Sequence, residues 1–155
     1  MVSKYSVSLA KIIKEFSLES VYLPGDPADI AISSGDVNRP GLFINGFYEY
    51  FDADRIQLLG KMEMAYLEDL PKDVLQERMN RMCALKVPLI IITRGSDVFP
   101  ELLSAAQEHG VPVVRTKEST TNLMVAMIAF MNVELAPRIT RHGVLVECYG
   151  EGLLI

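Results

Sequence analysis

The 155-residue sequence is half apolar, and its 15 Lys and Arg against 20 Asp and Glu give a formal charge of −5. That length can bury one core, and basic residues scattered as a minority exclude a nucleic-acid-binding stripe. The longest uncharged apolar run, 123–131, falls well short of the roughly 18 residues that cross a bilayer, and Met1-Val2-Ser3-Lys4-Tyr5 lacks a signal-peptide pattern, so a cytoplasmic protein without a membrane partner is expected.

The first element places Leu9, Ile12, Ile13 and Phe16 on one helical face, with Ser6 or Ser8 as its cap. Val21-Tyr22-Leu23 and Ile30-Ala31-Ile32 follow as short strands, closed by Pro24-Gly25-Asp26-Pro27 and Ser33-Ser34-Gly35-Asp36 turns. After Arg39-Pro40-Gly41, the aromatics Phe43, Phe47, Tyr48, Tyr50 and Phe51 fit neither helical nor strand period; aromatics at mixed spacing beside Gly41 and Gly46 read as core packing, with Arg39 and Arg55 holding the turn.

A strand is expected over 56–60 and a helix over 62–70, stopped by Pro71. Pro71 suits the first turn of the next helix, whose buried stripe is Leu75, Met79, Met82 and Cys83. The strand over 87–93 is a continuous apolar run; Ser96 or Asp97 then caps a helix carrying Phe99, Leu102, Leu103 and Ala106, ended by His109-Gly110. A strand over 111–115 and a mostly apolar helix from Thr120 or Thr121 to Met131 complete the pattern. Strand alternating with helix, the strands apolar throughout, implies an α/β domain with a mainly parallel sheet covered by helices. The change of texture at 137–140 divides the chain into a domain over 1–136 and the start of a second over 137–155, where two apolar runs flank Tyr149-Gly150-Glu151-Gly152 as a β-hairpin.

Cys83 and Cys148 have neither zinc nor redox spacing and read as buried thiols, and the methionines read as core filling rather than metal ligands. Thr93-Arg94-Gly95-Ser96, between strand and helix, could hold an anion, but Asp97 at the helix mouth favours an ordinary turn. No G-x-x-x-x-G-K-[ST] phosphate loop occurs anywhere in the sequence.

The run His142-Gly143-Val144-Leu145-Val146-Glu147-Cys148-Tyr149-Gly150-Glu151-Gly152-Leu153-Leu154-Ile155 is similar to the opening of the catalytic domain of HPr kinase/phosphorylases. Upstream, Arg39-Pro40-Gly41-Leu42, Gly46-Phe47, Tyr50-Phe51 and Asp54-Arg55-Ile56-Gln57-Leu58-Leu59-Gly60 resemble that family's amino-terminal domain. The resemblance implies a fold like the substrate-binding domain of a cell-wall ligase. It also implies a parent enzyme that phosphorylates a serine of the phosphocarrier HPr with ATP or pyrophosphate and magnesium, reverses this by phosphorolysis, and serves carbon catabolite repression as a homo-oligomer, typically a hexamer. His142 matches a histidine counted among that family's active-site residues, where an imidazole could orient or exchange a proton near the transferred phosphate.

The family's phosphate loop would lie beyond Ile155, so this chain, read as truncated before it, is expected to be inactive alone and to need no cofactor. The apolar tail 144–155 is expected to promote self-association through its unpaired edge. Two rivals stand beside this reading. One is a self-standing α/β ligand-sensing or protein-interaction module. The other is a small enzyme using His142 or His109 as base, for which no convergent set of nucleophile, base and oxyanion donors is visible.

Overall fold

The computed structural model describes residues 6–49 and 51–136. The hairpin proposed over 137–155, His142 and Cys148 lie outside the described residues.

In chain order the elements are β1 (Val7–Ser8), α1 (Leu9–Phe16), β2 (Glu19–Tyr22), a 3-10 turn at Pro27–Asp29, β3 (Ala31–Ile32), β4 (Val37–Asn38), α2 (Gly41–Ile44) and β5 (Ile56–Leu59). Then follow α3 (Lys61–Glu68), α4 (Lys72–Ala84), β6 (Ile90–Ile92), α5 (Pro100–His109), β7 (Val113–Arg115) and α6 (Thr120–Glu134). The main sheet runs β2-β7-β6-β5-β4, and β1 pairs only with β3. β4, β5, β6 and β7 are mutually parallel, as the alternation of strand and helix implies.

β2 departs from that pattern: it lies antiparallel to β7 at the edge. Its half-polar sequence suits an edge. The cross-strand pair Glu19–Arg115, with Nη2 to Oε2 at 2.7 Å, fixes its register. That hydrogen bond to Glu19 also raises the Arg115 pKa above its ordinary value.

Both faces of the sheet are covered. Leu59, Ile90, Ile92 and Val113 face α3, α4 and α5, whereas Ile56, Leu58, Leu89, Ile91 and Val114 face α1 and α6. Strands buried on two sides read as near-continuous apolar runs, which is why 88–92 shows no alternation. On the second face Phe16 meets Phe130 edge-on at 5.4 Å.

The caps follow local chemistry. Ser8 accepts from the Lys11 N–H at the start of α1, and Ser119, one residue before the expected Thr120, accepts from Asn122 at the start of α6. Gly110 takes φ 71° after α5, the left-handed stop that glycine favours. Two expectations are corrected. Pro71 stands just before the first turn of α4 rather than within it. Neither Ser96 nor Asp97 caps α5: the helix begins at Pro100, whose fixed φ and missing N–H suit the first helical position.

Three short elements went unread in the sequence: β1 at Val7–Ser8, β4 past the turn assigned to 33–36, and α2 at the opening of the aromatic stretch. α2 closes on Gly46 at φ 96°, with Gly46 N–H to Phe43 O and Phe47 N–H to Leu42 O. Those two bonds form a Schellman stop.

Candidate functional site

In parallel α/β sheets, ligands gather at the carboxyl ends of the strands. Here that edge brings together Arg39 after β4, Gly60 after β5, Thr93 after β6 and Thr120 at the start of α6.

Its centre is the Glu63 carboxylate, 8% exposed on α3. Glu63 sits at the third helical position, and its Oε1 accepts from the Gly60 N–H at 2.7 Å and from Arg39 Nη2 at 2.9 Å. This is half of a capping box, since Gly60 has no hydroxyl to return. Thr93 and Thr120 join their hydroxyls at 2.6 Å, and Thr93 Oγ1 also donates to Leu59 O. A Cβ on Gly60 would lie 2.5 Å from Thr120 Oγ1 and 2.8 Å from Arg39 Nη2. Gly60→Ala is therefore expected to lower stability by about 1–3 kcal/mol, the usual cost of overpacking. A urea midpoint equal to that of the parent chain would show that the cluster is looser than described.

The motif of residues 54–60 has a structural use. Gln57, fully buried, donates from Nε2 to Arg55 O (2.8 Å) and Asp52 O (3.3 Å) and accepts from Asn38 Nδ2 (2.9 Å). Gln57 thus holds the loop before β5 against β4. Arg55 pairs with Asp52, and Arg39 pairs with Glu63. Both arginines hold turns, as expected. The aromatics divide: Phe43 is buried against Tyr48 (4.8 Å) and Phe51 (4.2 Å), Arg81 lies 4.2 Å over Tyr48, and Phe47 is 52% exposed. Phe47 and Leu42, with Arg39, Phe51 and Arg55, line a cleft of about 420 Å³ beside β4.

A second cleft, about 440 Å³, lies along Gly95, Arg115 and Lys117, with Glu19, Asp97 and Glu118 offsetting the cations. The segment 93–96 is closed to anions. Arg94 N–H bonds Glu118 O, Gly95 N–H bonds Thr116 O and Ser96 N–H bonds Thr93 O. With φ positive at Arg94 and Gly95, this is an ordinary tight turn.

Of the residues weighed for catalysis, His142 and Cys148 lie outside the described residues, and His109 and Cys83 have structural places. His109 ends α5, where its carbonyl accepts from Lys86 Nζ. Cys83 is buried, and desolvation pushes its thiol up to about 12, which leaves it unreactive. Among the described residues no group of three or more His, Cys, Asp or Glu is placed to hold a metal ion. The backbone N–H donors of 94–96 are spent within the protein and form no phosphate cradle there. Sequence reasoning missed Glu63 and Thr120 as members of the edge cluster; the spacing Gly60-x-x-Glu63 was the available signal.

The fold and its carboxyl edge define a layered α/β domain in which the segment 54–60 locks loops to strands. The chain belongs to the family described as HPr serine kinase N terminus, whose model matches residues 7–131. It is 42% identical over 151 residues to the HPr kinase/phosphorylase of Lachnoclostridium phytofermentans, covering 97% of this chain and 49% of that protein. To the enzyme of Bacillus cytotoxicus it is 43% identical over 145 residues, covering 93% and 46%. The chain therefore spans about half the length of the curated relatives it matches. A similar fold occurs in the crystal structure of the CBS and DRTGG domains of the regulatory region of Clostridium perfringens pyrophosphatase, complexed with diadenosine tetraphosphate. The TM-score is 0.57 at 18% identity, covering 90% of this chain and 53% of that one. Among the described residues no helix is long and apolar enough to cross a membrane.

Proposed function

We propose that this chain is the amino-terminal regulatory and assembly portion of a bifunctional HPr serine kinase/phosphorylase. The observation that carries the reading is the match over 97% of the chain to proteins of that name, in which it fills about half the length. The parent enzyme then uses ATP or pyrophosphate with magnesium, acts on a serine of HPr and reverses the transfer by phosphorolysis, as a cytoplasmic hexamer in carbon catabolite repression. His142 serves there as an active-site group near the transferred phosphate. The domain over 1–136 shares its fold with the substrate-binding domain of a cell-wall ligase.

Phosphoryl transfer requires donors that cradle the phosphates and acids that hold the metal. The sequence contains no phosphate loop, so the chain alone is inactive. The test is phosphorylation of purified HPr with ATP and magnesium by this chain, beside a version extended through the following phosphate loop. Transfer by the extended protein alone is the expected result. Transfer by the short chain would refute the account of where the chemistry lies.

A second reading, a self-standing ligand-sensing or protein-interaction module, draws on the two clefts at the carboxyl edge and on the regulatory region named for the structural neighbour. Inactivity of both proteins in the same assay would favour it.

A further inference from the structure

The cleft beside β4 carries hydrogen-bonding groups that the fold does not use. Its volume of about 420 Å³ falls within the range of about 300–1,000 Å³ common to small-molecule sites.

Arg39 and Arg55 both line it. Each is held by a single contact: Arg39 gives Nη2 to Glu63 Oε1 at 2.9 Å, and Arg55 gives Nε to Asp52 Oδ2 at 3.0 Å. The other N–H groups of both guanidiniums have no partner among the described residues. A guanidinium fixed at one edge and open at another is preorganised to grip a phosphate with paired hydrogen bonds. Because Arg39 follows β4 and Arg55 precedes β5, cations reach the cleft from two strands, which suits two phosphoryl groups better than one.

Leu42, Phe47 and Phe51 give the same cleft an apolar lining. Leu42 and Phe47 are largely exposed, so a ring laid on them removes apolar surface from water. That lining is preformed: Tyr66 donates its hydroxyl to Asn45 Oδ1 at 2.7 Å, Arg78 Nη1 donates to Ile44 O, and Phe47 N–H closes on Leu42 O at 2.9 Å. Two acceptors complete the cleft. Asn38 spends its amide N–H on Gln57 but not its Oδ1, and the Glu49 carboxylate has no partner among the described residues.

We propose that this cleft binds a nucleoside diphosphate, with the phosphates on Arg39 and Arg55, the base against Leu42, Phe47 and Phe51, and hydroxyl or amino groups of the ligand donating to Glu49 and Asn38. Asp52, the other acid of the cleft, is spent on Arg55 and on the Asp54 N–H, so only Glu49 opposes the phosphates. A bare anion therefore gains less here than one that brings donors for that carboxylate. Two other clefts lack this set. Along Gly95, Arg115 gives Nε and Nη2 to Glu19 and Nη1 to Ser96 O, and in the cleft lined by Ser33 and Ser34, Asp36, Asp52 and Asp54 outnumber Lys86.

The site gives the regulatory portion proposed above a ligand to sense, and rests on that reading only for its use in a longer enzyme. Binding is measured without HPr, and the sequence holds no phosphate loop on which a nucleotide could sit instead, so the two readings fail separately. Isothermal titration calorimetry of the 155-residue chain with ADP, GDP, CDP and UDP is expected to show one-to-one binding of at least one of them, about tenfold or more tighter than the matching nucleoside or pyrophosphate. Arg55→Ala, which breaks only a partly exposed ion pair, and Phe47→Ala are each expected to weaken that binding about tenfold or more. Lys117→Ala, in the cleft along Gly95, should leave it unchanged, with circular dichroism showing all three variants folded. Binding of none of the four, pyrophosphate bound as tightly as the best nucleotide, or an affinity indifferent to both Arg55→Ala and Phe47→Ala would each overturn the proposal. A loss with Lys117→Ala alone would do so too, by placing the ligand in the other cleft.

Discussion

Glu63→Ala is expected to lower stability by about 3 kcal/mol, within the range for breaking a buried charge pair. The carboxylate is 8% exposed and holds both the Gly60 N–H and Arg39. Its removal leaves a buried backbone donor without an acceptor, a loss of about 1–3 kcal/mol, and strands a half-exposed guanidinium. Arg39 can turn toward water, so the cost stays below that of a fully buried pair. Glu63→Gln keeps an acceptor for Gly60 and should recover about half of the loss. Urea unfolding should show lower midpoints with an unchanged slope. Equal midpoints for the alanine and glutamine variants would mean that the hydrogen bond to Gly60 contributes nothing.

Phe43→Ala is expected to cost more, about 3–5 kcal/mol, because a fully packed ring leaves a cavity that its surroundings cannot close. Phe43 is 2% exposed and touches both Tyr48 and Phe51, and through them orders the loop before β5. Phe47→Ala, four residues further along and half exposed, is the control and should cost under about 1 kcal/mol. Thermal unfolding of the two variants separates them; a Phe47 variant as unstable as the Phe43 variant would contradict this division of the aromatics.

That division illustrates what the sequence conceals. Five aromatics within nine residues match no period, since α2 supplies a single turn and its Gly46 stop hands the chain to a loop. Where an element is long enough for its period to show, the reading was close: the stripe Leu75, Met79, Met82 and Cys83 on α4 is buried as expected. The start of α5 was misplaced because Ser96 and Asp97 are good caps by type, while Pro100 suits the first turn better. The same limit applies to the site. Arg39 was visible as a turn-holding residue, but its partner Glu63 lies 24 positions away on another element.

The sequence by itself determined the order of the longer strands and helices, the parallel core built from two-sided apolar runs, the stop at Gly110 and membership in the family, because periodicity, caps and motifs are written in neighbouring residues. Only the tertiary structure decided that β2 runs antiparallel at the edge, that Gln57 and Glu63 are buried and satisfied, and that one side of α6 faces solvent. These depend on which strand lies beside which and on how much of a helix one sheet can cover, and such long-range pairings leave no local periodicity to read.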